Sequence, residues 1–174
     1  MPYIFTSKRL GFRSFRKSDA AIVFRNHNEK DFKQWVSNEN YADIAEAAEA
    51  IRFFIARVSG QRLPYVLAIE VLETGELIGD IGLNEVAGRI GEVEIGFGIC
   101  EKQQGRGYAT EAVAAMSKFI ASKFPVKALY GRVMQGNDAS CRVLNKSGFR
   151  YQGIETGAAD DPYGKGMLIF VRTL

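Results

Sequence analysis

At 174 residues the chain has the length of one compact domain, and 47% hydrophobic with 25% charged residues excludes a disordered, collagen-like or fibrous protein. A formal net charge of +3, from 23 basic and 20 acidic residues, is too small to argue nucleic-acid binding by bulk electrostatics. Cys100 and Cys141 form neither a metal spacing nor a disulfide framework, which fits a reducing cytoplasm and no resident metal. No signal-peptide core follows Met1 and no run approaches ~18 apolar residues, so neither export nor a membrane span is expected. With 18 glycines against 4 prolines, the composition points to places where bare backbone is wanted.

Leu10 to Phe15 alternates apolar with small or polar residues and reads as a first strand. Ser18-Asp19 has the form of a helix N-cap ahead of Ala20 to Phe24. Asp31 to Asn40 is polar around Trp35 and does not declare itself. From Ala45 to Ser59, the residues Ile51, Phe54, Ile55 and Val58 fall on one helical face, and Gly60 ends that helix. Leu63 to Leu72 and Leu77 to Leu83 read as a hairpin turning at Gly75, and Gly88 to Gly91 makes a further turn before a strand over Glu92 to Ile99. Gly107 to Phe124 keeps one apolar stripe through Ala112, Val113, Met116 and Ile120 and is stopped by Pro125. Ala128 to Met134 is a strand, Asp138 to Lys146 a short helix, Phe149 to Ile154 a strand, and Met167 to Val171 a last strand. Strands first, then strands alternating with helices, give a single α/β domain over residues 1–174, a mixed sheet with helices on both faces.

The segment that carries chemistry runs from Gly96 to Thr110, where a strand enters a glycine-bearing loop and a helix follows at once. The first N–H groups of that helix have no intrahelical partner and carry the positive end of its dipole. Glycines let a pyrophosphate approach them, and Arg106 would add a charged contact. Read from spacing alone, the segment is equally well a plain glycine turn. It matches neither a Walker lysine-serine pattern nor the dinucleotide fingerprint.

Gln104-Gly105-Arg106-Gly107-Tyr108-Ala109 resembles the Gln/Arg-x-x-Gly-x-Gly/Ala motif of the GNAT acetyltransferase superfamily. Asn137 to Ser140, followed by Leu144 to Phe149, is similar to that family's second motif. Ser7-Lys8-Arg9-Leu10-Gly11-Phe12-Arg13, with Asp19 beyond, resembles the opening of its Rim-type branch, the ribosomal-protein N-terminal acetyltransferases, and Glu94-Ile95-Gly96-Phe97 resembles that branch's fourth strand.

The resemblance implies a GNAT fold, with a mostly antiparallel sheet split between its fourth and fifth strands. It implies acetyl-coenzyme A as co-substrate, its pyrophosphate over Gln104, Gly105, Arg106, Gly107, Tyr108, Ala109 and Thr110. Phe97, Gly98 and Ile99 would offer backbone N–H groups to the pantetheine arm and the developing oxyanion. Asn137 would bond the pantetheine or the acceptor, with an N-cap role compatible, and Ser140 would lie near the sulfur. Many relatives carry a tyrosine where this chain has Leu144, and some a glutamate base where it has Arg132. The base is therefore open; Glu94 is the first candidate, with Glu92 and Glu85 behind it, and the alternative is a solvent-facing or salt-bridged strand glutamate.

The resemblance implies direct attack by the amine in a ternary complex, without an acyl-enzyme. The acceptor is expected to be a protein N-terminal α-amine, with a ribosomal protein as one partner. A small amine is the alternative, and a catalytically silent acyl-coenzyme A-binding module is the rival. Acceptor pockets in the family are built from segments that here fall at 24–41 and 157–163. Monomer and homodimer both stay open, and neither nucleic acid nor membrane is expected as a partner. Other residues read more blandly. His27 is expected at the surface, Cys141 as a half-buried packing thiol, and Trp35 either in a pocket or capping the early helices. Lys8, Arg9, Arg13, Arg16 and Lys17 are expected in solvent.

Overall fold

The computed structural model describes residues 2–36, 39–158, 161 and 164–174. The chain opens with a short strand β1 (Phe5–Thr6) and β2 (Leu10–Arg13), followed by a 3₁₀ turn and three helices, α1 (Ala20–His27), α2 (Lys30–Trp35) and α3 (Ile44–Ser59). Three antiparallel strands follow, β3 (Tyr65–Val71), β4 (Leu77–Glu85) and β5 (Glu92–Ile99). Then come α4 (Tyr108–Lys123), β6 (Ala128–Met134), α5 (Asp138–Lys146), β7 (Arg150–Glu155) and β8 (Met167–Thr173). Chemistry visible in the sequence sets the boundaries. Gly75 takes φ +68° at the β3–β4 turn. The Asp43 carboxylate accepts the Glu46 N–H to cap α3, and extended backbone at Phe124, ahead of Pro125, closes α4.

The eight strands form one sheet in the order β1-β2-β3-β4-β5-β6-β8-β7. Every pairing is antiparallel except β5 with β6, which runs parallel only from Glu92↔Ala128 to Glu94↔Tyr130. Past that point β5 stays on β4 while β6 stays on β8, and the sheet splits. The expected split between a fourth and a fifth strand is therefore present, renumbered by the short β1.

Residues alternate between the two faces, as a pleat requires. Leu67, Ile69, Ile81, Leu83, Val93 and Ile95 pack with Ala112, Val113, Met116 and Ile120 of α4. On the opposite face, Ala68 and Leu77 pack with Ala20 and Val23 of α1 and Ile51 of α3. The stripe read at Ile51 and Val58 is the buried side of α3.

Two expectations fail here. Arg13 is not solvated but 1% exposed, held by Asp19 at 2.7 Å and Glu70 at 2.5 Å. Tyr3 and Arg16 also donate to Glu70. The carboxylates are what allow a guanidinium to be buried. Asp19 consequently serves Arg13 and the Arg16 N–H rather than capping α1. His27 is not at the surface either. It is 4% exposed, with Nε2 2.7 Å from Asp80 Oδ2 and Nδ1 2.8 Å from the Glu39 carbonyl oxygen. Its partners lie 53 and 12 residues away, beyond the reach of local pattern.

Candidate active site

The split leaves one edge of β5 without a strand. Cys100 donates its N–H to the Ile78 carbonyl on β4, whereas the Ile99 carbonyl faces the other way and accepts from Gln104 Nε2 at 3.0 Å. Peptide groups alternate sides along a strand, so those of Phe97 and Ile99 face the gap and those of Gly98 are spent on β4. Phe97 and Ile99 thus turn their backbone groups toward the gap, and Gly98 does not. Gly98 has a different duty: Phe32 of α2 lies over it, and a Cβ there would stand 2.0 Å from Phe32 Cζ.

Two clefts meet at this gap. The first, about 480 Å³, runs between the N-terminus of α4 and the flank of α5. Gln104, Gly105, Gly107, Tyr108, Ala109 and Thr110 line it. Gly105 and Gly107 take φ +73° and +79°, a region that favours glycine, and a Cβ at Gly105 would meet nothing. The side chain of Arg106 is exposed and forms no part of that lining; its carbonyl oxygen accepts from Arg9 instead. Two cations that the sequence reading passed over, Arg142 and Lys146 on α5, do line the groove. Their signal was a spacing of four residues on one helical face.

The second cleft, about 590 Å³, opens between β5, β6 and the early helices. Phe15, Val23, Ile51, Phe54 and Val66 contribute apolar lining, and His27, Glu39, Tyr41, Asp80, Asn84 and Glu94 contribute titratable and polar groups. Burial by itself would lower the pKa of His27, but the charge and hydrogen bond of Asp80 prevail and raise it to about 9. The imidazolium therefore persists at neutral pH. Glu39 is open to the cleft by area, yet crowding by protein, then Asp80 and Glu94, push its carboxyl above the ordinary range against the opposing pull of His27.

Asn137 and Ser140 line both clefts, as do Phe32, Trp35 and Phe97. The Asn137 Oδ1 caps α5 by accepting the Ser140 N–H at 3.1 Å, and this fixes both residues at the junction. Leu144 is 1% exposed and packs on Gly131, where a Cβ would come 2.6 Å from its Cδ1.

A family model described as an acetyltransferase (GNAT) domain matches residues 9–150. The chain belongs to the GNAT acetyltransferase family. A curated relative, the uncharacterized N-acetyltransferase YoaA of Bacillus subtilis, is 28% identical over 87% of this chain and 85% of its own. Among solved structures, RimL, a ribosomal L7/L12 α-N-protein acetyltransferase in complex with coenzyme A, superposes with a TM-score of 0.83 at 17% identity, covering 99% and 98% of the two chains. An aminoglycoside acetyltransferase in complex with coenzyme A superposes at 0.74 with 19% identity, covering 94% of each chain.

Within this GNAT domain the candidate bases are unequal. Glu94 lies in the second cleft, where Arg132 Nη1 stands 3.8 Å from its Oε2 as a loose ion pair. Arg132 also pairs with Glu155 at 2.7 Å. Glu92 pairs with Arg89, and the exposed Glu85 lies at the end of β4; neither lines a cleft. Glu39 is the carboxylate that sequence reasoning missed, because it sits in the segment 24–41, which carried no pattern. Trp35 is a cleft wall. Residues 37, 38, 159, 160, 162 and 163 of the expected acceptor segments lie outside the described residues. Cys141 packs against the core, lines neither cleft, and burial raises its thiol pKa, which disfavours a thiolate nucleophile. No described helix is long and apolar enough to cross a membrane, and no described cluster of His, Cys, Asp and Glu is arranged for a metal.

Proposed function

We propose that the chain transfers an acetyl group from acetyl-coenzyme A to a primary amine by direct attack, the acceptor being a protein N-terminal α-amine. The observation that carries this reading is the meeting of two clefts at the open β5 edge, with Asn137 and Ser140 on the wall of both. The first cleft fits a diphosphate-bearing thioester: α4 presents its N-terminus behind Gly105 and Gly107, and Arg142 and Lys146 stand on its lining. The co-substrate supplies an activated acyl group and a good leaving thiolate.

The protein's own part is placement and charge. The Phe97 N–H, on the free edge of β5, would donate to the acyl oxygen as it gains negative charge. Ser140 donates a hydrogen bond toward the leaving sulfur, and Asn137 holds Ser140 in place through the cap of α5. Glu39 and Glu94, on the acceptor side, accept the ammonium proton directly or through water. Phe32 and Trp35 exclude water at the junction.

RimL, named for a protein N-terminus, supports the α-amine reading. A small amine with an apolar body is the second reading, favoured by the apolar lining at Phe15, Ile51 and Phe54. Thiol release from acetyl-coenzyme A, measured with peptides beginning in Ala, Ser or Met beside a panel of polyamines, amino acids and aminoglycosides, tests both. Turnover of peptides alone supports the first reading and turnover of small amines alone the second. Binding of acetyl-coenzyme A with no turnover across the panel would favour a silent binding module.

A further inference from the structure

The opening segment from Ser7 to Arg13 has no part in the chemistry above, yet its Arg9 lies against the cofactor loop. The Arg9 N–H donates to Glu111 Oε1 at 2.7 Å, its Nε to Glu111 Oε2 at 2.7 Å, and Ser7 Oγ to Glu111 Oε1 at 2.8 Å. The same guanidinium donates from Nη1 to the Arg106 carbonyl at 3.0 Å, and its Cζ lies 4.5 Å from the centre of the Tyr108 ring. Arg9 thus grips residues on either side of Gly107 while lining no part of the groove.

A trans peptide is planar, with its C=O and N–H pointing in opposite directions. Tying the Arg106 carbonyl to Arg9, behind the loop, turns the Gly107 N–H the other way, toward the side on which Gly107 lines the groove. Gly105 and Gly107 have no side chains with which to fix that orientation themselves. Glu111 raises a second problem, since a carboxylate in the first turn of α4 suits the helix dipole but repels a bound phosphate. Arg9 and Ser7 occupy both of its oxygens. Burial alone would raise the Glu111 pKa, but these donors hold it below the ordinary glutamate range.

We propose that Arg9 is a positioning residue for the cofactor: through the Arg106 carbonyl and Glu111 it holds the 104–108 loop in its anion-binding shape and screens the phosphate site, without touching the ligand. This rests on the acetyl-coenzyme A reading above. A residue with this role affects the phosphate-bearing part of the ligand and leaves the pantetheine arm alone.

The test titrates coenzyme A calorimetrically and pantetheine, which carries no phosphate, by competition. Arg9→Gln should weaken coenzyme A about tenfold and leave pantetheine unchanged, since small misplacements of binding groups are costly. Arg9→Lys should recover only part of the loss, because a single ammonium cannot reach both Glu111 and the Arg106 carbonyl as a planar fork does. Adding Glu111→Gln to Arg9→Gln should recover part of the loss, because the carboxylate that Arg9 no longer screens is then neutral. Equal losses for both ligands mean a merely structural role and overturn the proposal, as does unchanged coenzyme A affinity in folded Arg9→Gln. If wild-type protein fails to bind coenzyme A at all, the acetyltransferase reading falls first.

Discussion

Phe32 of α2 and Gly98 of β5 occupy the same column of space: the ring stands where a Cβ on residue 98 would be, 2.0 Å from Cζ. The six-residue α2 is held there at its N-terminal end. Glu29 accepts the Glu101 N–H at 2.7 Å, and Glu101 accepts the Asp31 N–H at 3.1 Å. Because Phe32 walls both clefts, Gly98→Ala should destabilise the fold by about 1–3 kcal/mol, as overpacking does, and weaken ligand binding with it. Phe32→Ala, costly by itself because the ring is buried, should cost less in the Gly98→Ala background than in the wild type. Urea unfolding of the two single variants and the double variant decides the matter, and strictly additive effects would show that the two residues do not meet.

His27 sets a pH window. Its folded pKa of about 9 lies above the ordinary 6.5, so the pair with Asp80 contributes fully below about pH 6.5, and that contribution fades as pH rises through 9. A shift of this size corresponds to about 3 kcal/mol. The expected result is a urea midpoint that falls between pH 6 and pH 9.5 in the wild type and much less in His27→Gln. A parallel fall in both proteins would assign the pH dependence to other groups.

Gly107 stands at φ +79° at the head of α4. A β-branched residue is strained there, and its Cβ would stand 3.6 Å from Arg9 Nη2, so Gly107→Val should distort the loop and weaken coenzyme A at least tenfold, about 1.4 kcal/mol. Calorimetry on the folded variant checks this. Unchanged affinity would remove the pyrophosphate from this loop.

Ser140 and Asn137 should separate in their effects. A thiolate leaving group with an unperturbed pKa near ~8.5 needs little help from an acid, so Ser140→Ala should lower the single-turnover rate by about a hundredfold or less. Asn137→Ala also removes the cap of α5 and should lose about 1 kcal/mol of stability besides activity. A Ser140→Ala loss beyond about a thousandfold would make its hydroxyl essential rather than supportive.

Direct attack predicts sequential kinetics and a Cys141→Ala variant that keeps most of its activity. Ping-pong kinetics, or an acetyl group trapped on Cys141, would establish a covalent route.

The sequence by itself determined most of the elements, though not β1 or α2, and the glycine loop ahead of α4, because these are local. The limits of β5, β6 and α5 follow from runs of a few residues, and the α4 N-terminus with its glycines is written in one stretch. Tertiary structure alone decided what pairs with what. His27 and Arg13 looked like surface charges because the carboxylates that permit their burial, Asp80 and Glu70, arrive from strands more than 50 residues away. Gly98 read as a backbone donor, and strand register turned its peptide groups toward β4 and its missing side chain toward Phe32. Arg9 could be named but given no role, since its role exists only where β2 passes the first turn of α4. Hydrophobic period and turn chemistry act within a few residues and can be read along the chain; burying a charge or orienting a peptide depends on partners that only the folded chain brings near.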